Sequence, residues 1–290
     1  MALDIRGKTA LITGGASGIC LEVTRQLLAG GCNVAVADLK TSDELDALVQ
    51  AIHEGGARAS YIRTDVTEWR DLDSAFSHAV KEFGRLDIVV PGAGIFDPEG
   101  VSNFWYLNQG ADTTEASSYK SIDVNVMHPI RATQLAIDSF KRQKLGHGVV
   151  VLISSIAAQM SALPIPLYSA SKHAISGFVR CLADLEPAMN IRVNAVAPGT
   201  IKTPIWREKL EWMQEGMDQW VPVEQVGNVI LDLITNKDRV GGTILEVGLN
   251  QVRAVTELND PGPSGTGVTA HGLHGAIGDT LRLIDGNFGQ

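Results

Sequence analysis

The sequence has few cysteines and no long apolar run. Its three cysteines, Cys20, Cys32 and Cys181, are scattered and form no CxxC pair, which predicts free thiols in a reducing compartment and not a disulfide framework. No run of about 20 apolar residues is present to cross a bilayer, and residues 1–6 lack the apolar centre of a signal peptide. We therefore expect a cytoplasmic protein without a membrane partner.

Basic charge is also scarce. The 24 lysines and arginines are outnumbered by 33 aspartates and glutamates, giving a net charge of −9, so no basic excess exists to displace the counterions of a nucleic acid. Hydrophobic residues make up 44% of the 290 residues and charged residues 20%, which is typical of globular proteins and excludes wholesale disorder. A small-molecule partner is expected instead.

Short apolar runs alternate with longer segments of helical periodicity. The short runs are rich in Val, Ile and Leu on both faces, as in strands covered by helices on both sides. With right-handed crossovers, this alternation predicts an α/β fold: a Rossmann-type doubly wound parallel sheet of about seven strands. The strand-like runs are Lys8–Thr13, Asn33–Asp38, Ser60–Thr64, Leu86–Val90, Gly148–Ile153, Ile191–Val196 and Thr243–Val247.

The helical segments complete one predicted domain over residues 1–255, since neither an internal repeat nor a mid-chain linker interrupts it. We expect Pro187 to stop the fifth helix, and we expect residues 96–118 to form a long loop at the carboxyl side of the sheet. The predicted helices are roughly Ser17–Ala29, Ser42–His53, Leu72–Phe83, Tyr119–Gln143, Tyr168–Leu185 and Glu224–Thr235.

Residues 256–290 are rich in glycine and are predicted to form a mobile C-terminal tail. His271 and His274 lie in this tail. Two histidines without carboxylates or thiols nearby make a weak ligand set, so no metal site is expected.

A glycine-rich turn follows the first predicted strand, in Thr13-Gly14-Gly15-Ala16-Ser17-Gly18-Ile19-Cys20. Glycines at a strand-to-helix turn let the backbone approach a pyrophosphate, and the helix N-terminus offers free N–H groups. Asp38 ends the second strand, about 20 residues beyond the turn, at the position expected for a carboxylate that holds the adenosine ribose. A carboxylate there repels a 2′-phosphate, which favours NAD over NADP unless Lys40 compensates.

A second group of residues has the chemistry of proton transfer. Tyr168 and Lys172 are four residues apart and share a helix face, so the ammonium lies near the phenol or near a ligand that both face. Lowering the pKa of a tyrosine by about three units requires about 4 kcal/mol of preference for phenolate, which a lysine and a cationic nicotinamide ring together supply in a partly dry cleft. Ser155 ends the fifth strand and Asn125 lies in a predicted helix.

Taken together, these motifs resemble those of the short-chain dehydrogenase/reductase family over residues 5–250. The glycine turn is similar to TGxxxGxG, Pro91-Gly92-Ala93-Gly94 to NNAG, and Pro198-Gly199 with Ile201 and Thr203 to PG-x-I-x-T. Within the family the sequence is most similar to the NAD-dependent 15-hydroxyprostaglandin dehydrogenase type and to fungal tailoring enzymes. Cys20 replaces the third glycine and Pro91 the first asparagine, which puts the affinity for the coenzyme in question.

The resemblance implies a catalytic tetrad of Asn125, Ser155, Tyr168 and Lys172, with Tyr168 as general base or acid in hydride transfer between a secondary alcohol and NAD. It also implies a homodimer or homotetramer formed through the helices Tyr119–Gln143 and Tyr168–Leu185. The implied coenzyme contacts are Gly14, Ser17, Gly18, Ile19, Asp38, Leu39, Asp65, Val66, Ala93, Gly94, Tyr168, Lys172, Pro198, Gly199, Ile201 and Thr203.

The substrate and two alternative functions remain open at this stage. The segment after Thr203 is rich in large apolar side chains, which favours a medium-sized, mostly apolar substrate of the polyketide, terpenoid or lipid type. An NADPH-dependent ketoreductase would require Lys40 or Arg63 to outweigh Asp38. A non-redox or regulatory coenzyme-binding protein on the same fold would transfer no hydride. The apolar side chains are Ile205, Trp206, Leu210, Trp212, Met213, Met217 and Trp220.

Overall fold

A computed structural model of the chain describes residues 2–107, 110–160, 162–207, 210–213, 218–256 and residue 282. Within these residues eight strands form one sheet in the order β3-β2-β1-β4-β5-β6-β7-β8. All neighbouring strands are parallel except β7 and β8. The strands are β1 Thr9–Thr13, β2 Asn33–Asp38, β3 Ala59–Arg63, β4 Ile88–Pro91, β5 Gly148–Ile153, β6 Ile191–Pro198, β7 Ile244–Gly248 and β8 Gln251–Ala254.

Helices cover both faces of the sheet. The cluster of buried side chains on one face includes residues of α1, α2 and α8, and the cluster on the other face includes residues of α3, α5 and α6. The predicted doubly wound parallel sheet is therefore confirmed. The helices are α1 Gly18–Ala29, α2 Asp43–Gln50, α3 Trp69–Phe83, α4 Lys120–Ile122, α5 His128–Arg142, α6 Pro166–Cys181, α7 Leu185–Met189 and α8 Val223–Thr235.

Three details of the elements go beyond or differ from the expectations. The sheet has an eighth strand, β8, whose residues are all exposed and therefore carry no buried apolar run. The helix predicted over Tyr168–Leu185 ends at Cys181, and Pro187 does not stop it but lies in the first turn of α7, where a missing N–H has no partner to lose. A π-helical turn, Asp123–Met127, separates α4 from α5 within the predicted helix Tyr119–Gln143.

Two other expectations concern segments outside the regular elements. The described residues of 96–118 form the expected loop, which leaves β4 at the carboxyl side of the sheet. The predicted tail, residues 256–290, lies almost wholly outside the described residues, so the domain boundary at residue 255 stays a prediction. No helix among the described residues is long and apolar enough to span a membrane.

Candidate active site

A cavity of about 570 Å³ lies at the carboxyl ends of the parallel strands, where open α/β sheets bind their ligands. The chain segments that follow β1 to β6 all contribute to its wall. Of the predicted catalytic and coenzyme-binding residues, all except Asn125 line this cavity: Gly14, Ser17, Gly18, Ile19, Asp38, Leu39, Asp65, Val66, Ala93, Gly94, Ser155, Tyr168, Lys172, Pro198, Gly199, Ile201 and Thr203.

The glycine-rich turn brings backbone and a helix N-terminus to the cavity. Gly14 has a φ of +71°, and a Cβ at this position would lie 2.7 Å from the Cα of Ala93, so only glycine fits there without a shift of the backbone. Ser17 precedes α1 and its side chain makes no capping hydrogen bond. The first N–H groups of a helix point outward along its axis and favour an anion. The turn thus fits a pyrophosphate.

Asp38 is held in a fixed position at the end of β2. One carboxylate oxygen accepts a hydrogen bond from the N–H of Ala16 at 3.0 Å, and the other accepts one from the N–H of Lys40 at 3.4 Å. The carboxylate therefore ties the end of β2 to the glycine turn while it lines the cavity. It can accept further hydrogen bonds, because a carboxylate has about four lone-pair positions.

Cys20 is accommodated by Gly92. The thiol is buried, and a Cβ built on Gly92 would lie 2.1 Å from its sulfur atom. The volume that Cys20 adds in place of the expected glycine therefore occupies the space that Gly92 leaves open. Burial, together with the charge of Asp38, raises the pKa of the thiol to about 12, so the thiol is neutral at physiological pH.

Pro91 ends β4, and a buried side-chain network holds the backbone that follows it. The hydroxyl oxygen of Thr13 accepts hydrogen bonds from the N–H groups of Gly92 and Ala93 at 3.0 and 3.3 Å. It lies 2.9 Å from Nε2 of His128, and Nδ1 of His128 lies 3.1 Å from the carbonyl oxygen of Val124. Burial lowers the pKa of His128 to about 4, so the ring is neutral. Because a carbonyl oxygen can only accept a hydrogen bond, Nδ1 carries the ring hydrogen.

Tyr168, Ser155 and Lys172 meet at the cavity wall. The side chain of Ser155 acts on the phenol of Tyr168 and favours its deprotonated form, and its hydroxyl oxygen accepts a hydrogen bond from the N–H of Ala157 at 3.2 Å. The ammonium of Lys172 lies 5.3 Å from the centre of the Tyr168 ring and donates to the carbonyl oxygen of Ile153 at 2.8 Å. Three of the four predicted catalytic side chains are thus brought together.

Asn125 lies one layer behind the cavity, in the π-helical turn. Its amide donates to the carbonyl oxygen of Ile95 at 2.8 Å, and its side-chain oxygen accepts from the N–H of Ile95 at 2.9 Å. A second contact joins its amide to the hydroxyl of Ser171 at 3.2 Å. Asn125 therefore holds the chain segment that follows β4 against α6, next to Lys172.

The pKa values at the site differ from those expected for an activated tyrosine. Burial raises the pKa of Tyr168 to about 12; the hydrogen bond from Ser155 opposes the rise, and the charge of Asp97 adds to it. Burial also lowers the pKa of Lys172 to about 8. In the protein alone, burial therefore outweighs the expected effect of the lysine, and Tyr168 holds its proton at neutral pH.

Aromatic side chains close the cavity beside Tyr168. The ring centre of Phe96 lies 4.6 Å from that of Tyr168 and 5.2 Å from that of Trp206. Trp212 contacts Phe96 and Trp220 contacts Trp206. Of the apolar residues predicted to line the pocket, Ile205 and Trp206 do so, whereas Met217 lies outside the described residues.

Sequence reasoning missed Phe96, Asp97 and His128. Phe96 and Asp97 stood at the start of residues 96–118, which were expected to form a loop and a lid over the substrate pocket, but neither residue was singled out. His128 gave no sign of its role, because its partner Thr13 is 115 residues away in the sequence. The described residues contain no group of three or more side chains able to hold a metal.

Fold and cavity together define a dinucleotide-binding α/β protein with a tyrosine, a lysine and a serine at the rim of the sheet. The sequence profile of the short chain dehydrogenase family matches residues 8–214. The chain belongs to this family. It is therefore an oxidoreductase of the short-chain dehydrogenase/reductase type, whose fold binds nicotinamide coenzymes.

Individual relatives agree with this assignment. The chain is 34% identical to the rat NAD(+)-dependent 15-hydroxyprostaglandin dehydrogenase over 224 residues, which cover 76% of this chain and 77% of the relative. It is 32% identical to a hydroxynaphthalene reductase of Aspergillus fumigatus, with 77% of each chain covered. A short chain dehydrogenase of Burkholderia cenocepacia, solved in complex with NADP, superposes with a TM-score of 0.71 at 28% identity and covers 86% of this chain and all of its own.

Proposed function

We propose that the protein oxidises a secondary alcohol on a medium-sized, mostly apolar molecule to the ketone, with NAD as hydride acceptor. The observation that carries this proposal is the position of Tyr168. Its side chain interacts with that of Ser155, and its ring lies near the ammonium of Lys172 and packs against the ring of Phe96. A substrate hydroxyl that reaches Ser155 also reaches the tyrosine oxygen.

The cavity fits NAD in its chemistry. The N-terminus of α1 would hold the pyrophosphate, Asp38 the ribose of the adenosine, and Asp65 with Val66 the adenine. A 2′-phosphate at 4 Å from the Asp38 carboxylate would be repelled by several kcal/mol at an effective dielectric constant of about 20. Lys40 offers Asp38 its backbone N–H, which leaves the carboxylate charge in place. We therefore expect NAD to be preferred over NADP.

Proton transfer falls to the residues of the chain. When bound, the coenzyme supplies the hydride acceptor for the carbinol hydrogen. Ser155 donates a hydrogen bond to the substrate oxygen, and Tyr168 takes the hydroxyl proton as general base. Lys172, held by the Ile153 carbonyl, stabilises the phenolate and binds the ribose next to the nicotinamide. Its charge and that of the oxidised coenzyme must offset the burial that raises the pKa of Tyr168.

The substrate end of the cavity supports the apolar class. Phe96, Val101, Ile205 and Trp206 line it next to Tyr168, so a ligand that reaches the tyrosine is surrounded mainly by hydrocarbon and ring surfaces. A panel of hydrophobic secondary alcohols, with small sugars as the polar comparison, tests this class. Efficient turnover of the sugars would contradict it.

Replacement of Tyr168 by phenylalanine tests the mechanism. The ring that packs against Phe96 is retained, so Tyr168→Phe is expected to bind NAD normally, measured by quenching of tryptophan fluorescence, and to lose turnover by at least about 100-fold. Tyr119→Phe is the matched control, because Tyr119 is an exposed tyrosine. Unchanged turnover of Tyr168→Phe would exclude the proposed general base.

The same proteins serve to test the predicted assembly. The family resemblance favours a homodimer or homotetramer built on the helical segments Tyr119–Gln143 and Tyr168–Leu185, which contain α5 and α6. Sedimentation equilibrium of the full chain, with residues 256–290 retained, measures the mass directly. A monomer at micromolar concentration would contradict this prediction.

A further inference from the structure

The carboxylate of Asp97 lies behind the tyrosine, in the loop that follows β4. Its side chain is fully buried, although its neighbours Phe96 and Pro98 both line the cavity. Asp97 has a φ of +38°, a conformation that residues other than glycine seldom adopt and that needs support from the surrounding structure. The backbone is thus turned so that the carboxylate points away from the cavity and into the protein.

The contacts of Asp97 join the loop to the helix of the tyrosine. One carboxylate oxygen accepts a hydrogen bond from the N–H of Tyr168 at 3.2 Å, and the other accepts one from the hydroxyl of Ser121 at 3.3 Å. Its carbonyl oxygen accepts from the side-chain amide of Asn103 at 3.0 Å. Tyr168 is the third residue of α6, so its N–H has no acceptor within the helix.

The residues directly before α6 supply no side-chain acceptor for the N–H of Tyr168. The residue preceding the helix is Ile165, which has no side-chain cap, and Pro166 opens the first turn. The acceptor for the N–H of Tyr168 therefore comes from a segment about 70 residues earlier in the chain. We propose that Asp97 is a positioning residue: its buried carboxylate anchors the backbone of Tyr168 at the start of α6 and places a negative charge behind the phenol.

This inference rests on the proposed role of Tyr168 as general base. The polar and charged groups around the Tyr168 side chain are Ser155 from the segment after β5, Lys172 from α6 and, behind its backbone, Asp97 from the loop after β4. Of these, Asp97 is the one that disfavours the phenolate, in addition to burial. Removal of its charge must therefore make the phenolate easier to form.

The pH dependence of alcohol oxidation tests the inference. Asp97→Asn retains the size and an acceptor oxygen but removes the charge. In alcohol oxidation kcat/KM should rise with pH as Tyr168 loses its proton. We expect the midpoint of this rise to lie about one pH unit lower in Asp97→Asn than in the unmodified protein, with the KM for NAD unchanged. Asp112→Asn is the matched control, because Asp112 is a buried carboxylate of the same loop that accepts from the N–H of Lys120 and the hydroxyl of Ser102 instead. It should leave the profile in place.

The outcomes separate the two proposals. No turnover by the unmodified protein on any secondary alcohol would reject the proposed function, whereas turnover with the same pH profile in Asp97→Asn would reject only the role of Asp97. If Asp97→Asn does not fold, Ser121→Ala gives a second test. Ser121→Ala keeps the carboxylate of Asp97 but removes one hydrogen-bond donor to it, so its negative charge is less compensated. The pH profile of kcat/KM should then move to higher pH. An unmoved profile would overturn the inference.

Discussion

The contact between Cys20 and Gly92 allows a test of how the chain accommodates a thiol in place of a glycine. Gly92→Ala adds a methyl group that would lie 2.1 Å from the sulfur of Cys20, 3.2 Å from the carbonyl oxygen of Thr13 and 3.5 Å from Ile153. The contact with sulfur is far too short, so the thiol or the backbone must move. Overpacking of this kind costs about 1–3 kcal/mol, and we expect Gly92→Ala to lose about 2 kcal/mol of unfolding free energy.

A double-mutant cycle isolates the cause of this loss. Cys20→Ala alone leaves a small void and should cost about 1 kcal/mol. In the double variant the new methyl group at position 92 takes the volume that the sulfur vacated. The two changes should then compensate, with a favourable coupling of about 2 kcal/mol.

Urea unfolding of the four proteins at neutral pH measures the cycle, with the slope of free energy against urea as the check on two-state behaviour. Gly248→Ala is the control, because a Cβ there meets no atom within 4 Å; it should change stability by less than about 0.5 kcal/mol. If Gly92→Ala destabilises the Cys20→Ala background as much as the unmodified protein, the thiol is not what fills the space beside Gly92.

Three further substitutions have defined outcomes. Asp38→Ser removes the charge at the end of β2, so the ratio of kcat/KM for NADP to that for NAD should rise by at least about 10-fold; an unchanged ratio would exclude Asp38 as the discriminating group. Burial alone would raise the pKa of Asp87, but hydrogen bonds from Arg85, the N–H of Thr9 and His147 outweigh it and hold the pKa below its usual value. The stability that this lowered pKa contributes is present above about pH 4 and is lost as the pH falls through the folded-state pKa. Asp87→Asn should therefore have a lower free energy of unfolding at neutral pH and should lose less of it on acidification. Urea unfolding at several pH values measures both. Arg192 is buried and donates to the carbonyl oxygens of Ile234, Asn236 and Arg239 at the end of α8, so Arg192→Met should cost about 3 kcal/mol; a cost below about 1 kcal/mol would show that these carbonyls do not need the guanidinium.

The sheet was predictable because its parallel strands are buried on both faces. Val, Ile, Leu and Ala make up most of β1, β2, β4, β5 and β6, and such runs stand out between amphipathic helices. The edge strand β3 is only partly buried. β8 escaped prediction because its four residues are all exposed, so hydrogen bonds to β7 and not burial hold it in place. The break between α6 and α7 escaped for a related reason, since the apolar spacing continues through Leu182 and Leu185 although the backbone leaves the helix.

The site residues were predictable because they follow the carboxyl ends of parallel strands. The carboxyl ends of the seven parallel strands lie at one edge of the sheet, and the segments after six of them line the cavity, so residues such as Asp38, Ser155 and Pro198 come together whatever their separation in the sequence. The sequence could not show which neighbours set their chemistry. The pKa of Tyr168 depends on burial and on Asp97, and Asp97 acts only because an unusual backbone conformation turns it toward α6.

The start of α6 shows how the loop after β4 becomes part of the candidate site around Tyr168. The helix must begin where Tyr168 and Lys172 reach the cavity, and the residues at its start, Ile165 and Pro166, have no side-chain acceptor for the N–H of Tyr168. The loop supplies an acceptor through Asp97, and its Trp105 donates to the carbonyl oxygen of Leu163 at 2.9 Å. Substitutions in this loop should therefore alter the rate of proton transfer as well as the choice of substrate, because the loop holds the tyrosine from behind while Phe96 lines the cavity in front.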